Sequence, residues 1–156
     1  MECVKCILYL VLQKNSIFKK VTMENKYEIF CLVNGDQHKT YVYLYEEKEN
    51  YQIKFELDDI IIWSKGKNYF DALINLRKKL EADNIMLLCK GCSRYVYPSP
   101  MILSMGDAIK AYELSIGKHA HTNDLVNIFE PCRYDEYASI EEQYNFYEMW
   151  SKSRKS

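Results

Sequence analysis

The residues with the clearest chemical potential are two Cys-x-x-Cys pairs, Cys3-x-x-Cys6 and Cys89-Lys-Gly-Cys92. Such a pair closes a turn that aims two thiolates at one zinc ion, and Gly91 would allow that turn to be tight. The two pairs are far apart in the chain, however, and the remaining thiols, Cys31 and Cys132, belong to no motif. A dithiol redox role needs the first cysteine at a helix N-terminus, where the thiolate is stabilised. Cys89 instead ends the apolar run Ile85-Met-Leu-Leu88 and leads into a loop containing Pro98 and Pro100. The reading is therefore a buried Cys89 and a loop Cys92, with no metal and no cofactor. Six cysteines in a chain of 156 residues without a convincing secretion signal read as free thiols in a reducing cytoplasm.

His119-Ala-His121 would place two imidazoles on one face of an extended segment, with Asp124 close by in sequence. Such a pair can ligate metal or move protons. No third ligand or nucleophile stands at a recognisable spacing, so a polar turn is the reading. Gly66, Gly91, Gly106 and Gly117 assemble no phosphate loop, and Ser99 lacks a nucleophile elbow. The expectation is a protein that is not an enzyme.

Charge is nearly balanced overall, 21 basic against 22 acidic residues, which gives no basic excess for nucleic acid. Its distribution is uneven. Residues 124–148 carry seven acids and one base, interleaved with aromatic side chains. That stretch reads either as a solvated helix and loop or as an acidic, aromatic face for a basic protein. Tyr41, Tyr43 and Tyr45 alternate along one strand face and could stack bases. Glu46, Glu47 and Glu49 follow directly and would repel phosphate, so core-facing or partner-facing tyrosines are expected.

The elements that must position these residues form a mainly antiparallel sheet with helices packed on it, an α+β domain. Residues 1–22 read as an N-terminal extension whose apolar run, Ile7–Leu12, is too short for a membrane span. Met23 is expected to open a single domain over 23–156. Lys26–Val33 and Lys39–Tyr45 flank Asn34-Gly35, a pair suited to a tight hairpin. Tyr51–Leu57 alternates, and Ile60–Trp63 reads as a short buried strand. Asn68 and Asp71 mark a helix start, with Tyr69, Leu73, Leu76 and Leu80 on its apolar side. Asn84 ends it, Ile85–Cys89 is a strand and Lys90–Pro100 a loop. Ala108–Ile116 reads as a strand, and Thr122 as the cap of a helix running to about Phe129. Ser139-Ile-Glu-Glu142 is a capping box opening a last helix with Tyr144, Tyr147 and Trp150 as its stripe.

An ordered series of short motifs spans roughly residues 60–152. It runs Arg94-x-Val96-Tyr97-Pro98-Ser99-x-Met101, Met105-Gly106, Lys110-Ala111-Tyr112-x-Leu114, Gly117, Leu125-Val126-x-Ile128-Phe129, and Gln143-x-x-Phe146-Tyr147-Glu148-x-Trp150. In this order the motifs resemble a family of small bacterial proteins, some of which look like immunity partners of contact-dependent or polymorphic toxin systems. The chain departs from that pattern at Pro100, where Gly is expected, and at Cys92, where a residue other than Cys is expected. The resemblance supplies no catalytic residue. It implies that Arg94, Tyr97, Ser99, Lys110 and Tyr112 either build a structural loop or line a small pocket, the latter serving a ligand-binding regulator or enzyme.

The function expected is that of a cytoplasmic immunity protein, bound to a cognate toxin domain rather than to nucleic acid or membrane. A nuclease toxin would be basic in order to hold phosphate, so an acidic cover can imitate its substrate. The contacts expected are Asp135, Glu136, Glu141 and Glu142, with Glu46 and Glu47 as a second patch. Tyr134, Tyr137 and Tyr144 would be the aromatic anchors.

Overall fold

The computed structural model describes residues 22–154; the expected extension, including Cys3 and Cys6, lies outside them except for Thr22. Thr22–Val33 (β1) and Asp36–Glu47 (β2) form a long antiparallel hairpin. Its turn residues Asn34 and Gly35 have φ of 51° and 89°, the left-handed values that let a two-residue turn match strand twist. Asn50–Leu57 (β3) and Ile60–Gly66 (β4) continue the meander, and Ile85–Leu88 (β5) pairs with β1. The five-stranded sheet thus runs β4-β3-β2-β1-β5, antiparallel throughout.

Alternation along these strands decides their faces. Val42 and Leu44 point inward with Ile53, Phe55 and Leu57, while Tyr41, Tyr43 and Tyr45 take the opposite face. There Lys26 and Lys54 lie over the rings of Tyr43 and its neighbours, at 4.3 Å from Tyr41 and 4.5 Å from Tyr43 respectively. The tyrosines expected to be core-facing or partner-facing therefore stand on the side of the sheet away from the core.

Helix Tyr69–Glu81 (α1) fills the inner face with Tyr69, Phe70, Ala72, Leu73, Leu76 and Leu80. Asn68 caps it by accepting from the Asp71 amide at 2.8 Å, and Asp71 accepts in turn from the Lys67 amide at 3.0 Å. From the same helix Lys79 Nζ donates to the Trp63 carbonyl at 2.6 Å, and Asn75 Nδ2 donates to the Lys65 carbonyl at 2.8 Å. β4 is consequently an edge strand and not the buried strand expected. Ile60, Ile61 and Trp63 are about half exposed, at 45, 56 and 46 %. The inward positions of β4 belong to Ile62 and Ser64, whose hydroxyl donates to the Ala72 carbonyl at 2.9 Å. An unbroken apolar run does not distinguish a central strand from an edge strand.

Beyond β5 the elements shorten. A 3-10 turn over Lys90–Cys92 leads into Val96–Tyr97 (β6), then helix Pro100–Met105 (α2). The expected loop therefore carries structure. Ser99 caps α2 by accepting from the Ile102 amide at 3.1 Å, and Pro100 takes the first helical position, where no amide is needed. Lys110–Glu113 (β7) and Leu125–Asn127 (β8) complete a small sheet in the order β6-β7-β8. The strand expected from Ala108 starts two residues later, because Ala108 has φ of 56° and breaks the ladder. The helix expected after Thr122 is only a 3-10 turn over Thr122–Asp124; the residues after it are drawn into pairing with β7.

Helix Ile140–Ser153 (α3) opens with the reciprocal Ser139–Glu142 box, at 3.2 and 3.3 Å. One buried cluster runs through both sheets, from Ile29 and Val42 to Val96, Ala111, Ile128 and Phe129. No helix of the described residues is long and apolar enough to cross a membrane.

Candidate functional site

Gln143, not an aromatic residue, is the most buried position of α3. Its Nε2 lies 2.9 Å from each of the carbonyls of Gly91, Ser93 and Val96. Its Oε1 accepts from Arg77 Nη1 at 2.7 Å. Arg77 is itself buried within α1, donating to the Ala138 carbonyl and pairing with Glu81 at 3.3 Å. The terminal nitrogens of this enclosed guanidinium are met by acceptors, while its Nε has none. These two side chains lock α1, the Cys89–Cys92 turn and α3 together. Gly91 is needed there, since a Cβ would collide with Leu73 and press on Ile128.

The cysteine pair belongs to this lock. Both thiols are fully buried, with sulfurs 3.7 Å apart. The expected buried Cys89 is found, and Cys92 is equally enclosed, because Gln143 and the carbonyls of Ile128 and Glu130 hold the turn inward. The hydrogen bond with Cys92, together with burial, raises Cys89 well above the ordinary thiol range. Burial pushes Cys92 up as well, but the hydrogen bond from Cys89 and the Arg77 charge bring it below its usual value. Both sulfurs are enclosed, which leaves no exposed nucleophile. The four cysteines among the described residues are free thiols.

The residues expected to meet a partner divide into two groups. Tyr134, Asp135, Glu141, Glu142 and Tyr144 are exposed on the 3-10 turn Tyr134–Glu136 and the first turns of α3. Asp135 pairs with Arg133 at 2.9 Å and Glu142 with Arg94 at 3.7 Å, both solvent-facing. Glu148 accepts from the Tyr144 hydroxyl at 3.0 Å, which raises the pKa of that phenol. Glu136 and Tyr137 turn inward. Glu136 meets Lys90 at 3.6 Å and the Arg133 amide at 3.0 Å. The Tyr137 hydroxyl donates to Glu81 at 2.6 Å, and burial with this bond pushes its pKa up. Glu46 and Glu47 are half-buried at the β2–β3 hairpin, tied to the sheet and not to α3.

Beside the acidic edge lies a groove of about 550 Å³ between β6, β7 and α3. Tyr97, Ser99 and Tyr112 line it, as a pocket reading required; Arg94 and Lys110 do not. The wall opposite is Tyr147, Trp150, Ser151 and Arg154. Trp150 is fixed by its Nε1, which donates to the Lys118 carbonyl at 2.9 Å. Tyr144 and Tyr147 approach Tyr97 to 6.2 and 4.3 Å between ring centroids, so the rings run unbroken from the acidic edge into the groove. The sequence marked Tyr147 and Trp150 as a stripe; Ser151 and Arg154, one turn on from them, extend the same face. His119, His121 and Asp124 line a separate depression with Glu113 and Lys118. Asp124 there accepts from the His121 amide at 2.8 Å, the bond of a local turn. The chain matches no family model and no curated protein.

Proposed function

We propose that this protein acts by binding another protein, as a cytoplasmic immunity-type inhibitor that covers a basic toxin domain. A nuclease is the toxin class that fits best, since a phosphate-holding surface is met by carboxylates. The observation that carries the reading is one exposed edge holding Tyr134, Asp135, Glu141, Glu142 and Tyr144 on short, capped elements. Capping supports it, because Glu142, whose carboxylate accepts from the Ser139 amide, and Asp135, held by Arg133, lose little freedom on binding. Tyrosines beside them supply apolar area with a polar tip, the combination found at binding hot spots. Glu136 and Tyr137 serve the fold in this reading.

The test is association with the cognate toxin domain, followed by stopped flow at several salt concentrations. Neutralising Asp135, Glu141 and Glu142 together, as Asn, Gln and Gln, should slow association by roughly ten-fold or more at low salt and flatten its salt dependence. An unchanged low-salt on-rate would remove this edge from the interface. Failure of the wild-type protein to protect cells making the toxin would remove the function itself.

A further inference from the structure

The aromatic groove is not explained by an acidic docking edge. Ring packing alone accounts for Tyr97 stacked on Tyr147 with 20° between planes, and for Trp150 beyond them at 5.9 Å from Tyr147. It does not account for the cation at the end of the row. Arg154 lays its guanidinium on the Trp150 ring at 3.9 Å from the centroid. None of the ion pairs among the described residues includes Arg154, and its Nε is buried without a hydrogen-bond partner. That nitrogen is closed to water and therefore to a ligand as well, so the terminal nitrogens of the guanidinium are the groups left to meet an acceptor in the groove. The nearby hydroxyls point to the same ligand type. Ser99 Oγ accepts from the Ile102 amide, which leaves its O–H free to donate, and Ser151 adds a second hydroxyl to the lining.

We propose that this groove binds a small aromatic carboxylate, its ring against Tyr147 and Trp150 and its carboxylate on Arg154. The volume lies within the range of small-molecule sites. The planar guanidinium offers a fork that matches two carboxylate oxygens. Among the described residues, Arg154 is the one charged member of the lining, which favours a singly charged anion over a phosphate dianion. A neutral aromatic compound would fill the rings and leave the guanidinium unmatched. The acid of the neighbourhood, Glu148, is held by the Tyr144 hydroxyl and lies outside the lining. This site stands apart from the toxin-binding reading and survives its failure.

The chain has two tryptophans, Trp63 and Trp150, so Trp63→Phe leaves Trp150 as the single tryptophan reporter under excitation selective for indole. Titration of that variant with phenylacetate should give saturable quenching, with phenylacetamide about ten-fold weaker or worse. Arg154→Gln should abolish the preference for the acid, and Arg154→Lys should keep part of it by retaining charge without the fork. Arg94→Gln, outside the groove, should bind like the parent. Circular dichroism of each variant separates lost binding from lost structure. Equal affinity for acid and amide, an indifferent Arg154→Gln variant, or no saturation by about 10 mM phenylacetate would each overturn the proposal. Binding of a peptide ending in Phe without binding of the free acid would also overturn it, in favour of a chain terminus as occupant.

Discussion

The β1–β5 sheet and the segment from Lys90 to Ser153 are held together by different means. In the sheet, backbone ladders supply the cohesion and an alternating apolar face supplies the burial. In the second segment strands are two to four residues long, too short to be stable by pairing alone. Side-chain to backbone bonds do the joining there: Gln143 to three carbonyls, Arg77 to Ala138, Trp150 to Lys118 and Ser153 to Gly117. Irregular backbone can be buried when a few polar side chains meet its carbonyls individually. Such a design concentrates stability in single residues, whereas a ladder spreads it.

The largest consequence falls on Gln143. Gln143→Leu keeps the volume and removes the donor to three buried carbonyls, as well as the acceptor for Arg77. Urea unfolding should show a loss of about 3–5 kcal/mol, and a loss under about 1 kcal/mol would mean that water replaces the amide. No single polar substitution in β1–β4 should match it. A smaller effect tests one local element in each segment. Gly35→Ala forces a Cβ into φ of 89°, and Ser139→Ala removes the cap of α3; each should cost about 1 kcal/mol. A clearly larger loss for the cap would show that α3 unravels from its start once the box is gone.

The smallest effect is a slope in alkaline solution, with one thiol on each side of the comparison. Burial raises Cys31 in β1 from 9.0 to about 11 and Cys132 after β8 from 9.0 to about 12. Both groups hold their proton longer when folded. The stability they contribute is therefore complete below pH 9.0 and lost as pH rises through about 11 and 12. Unfolding free energies measured at increasing pH should fall less steeply for Cys31→Ala and for Cys132→Ala than for the parent. Parallel slopes in all three proteins would show that other groups set the alkaline limit.

The same contrast governs what the sequence could reveal. Period-two alternation at Tyr51–Leu57, the Asn34-Gly35 turn and the Asn68 cap are local signals, and each corresponds to its element. The capping box at Ser139 is equally local. The segment around the groove is decided by partners distant in sequence. Leu125–Asn127 becomes a strand because β7 is there to receive it, and no local pattern announces that. Gln143 occupies a helical position that composition marks as polar, yet it is enclosed because unpaired carbonyls wait opposite. Of the candidate site, the exposed acids were readable from types and spacing, whereas Tyr97, Ser99 and Tyr112 came only from what the resemblance implies. Arg154 was readable from neither, since its significance comes from the ring beneath it and from its place in none of the ion pairs among the described residues.

The bonds from Lys79 and Asn75 to the carbonyls of β4 reach beyond the sheet that they finish. A strand arriving from another molecule along Trp63–Lys65 would find those acceptors already engaged, and would have to displace a lysine to gain a ladder. Main-chain pairing recognises almost any extended peptide; contact through side chains recognises only a fitting surface. At that edge, association with other molecules is steered toward the second kind. Partner choice can then be rewritten by substitutions on the surface without disturbing the sheet beneath.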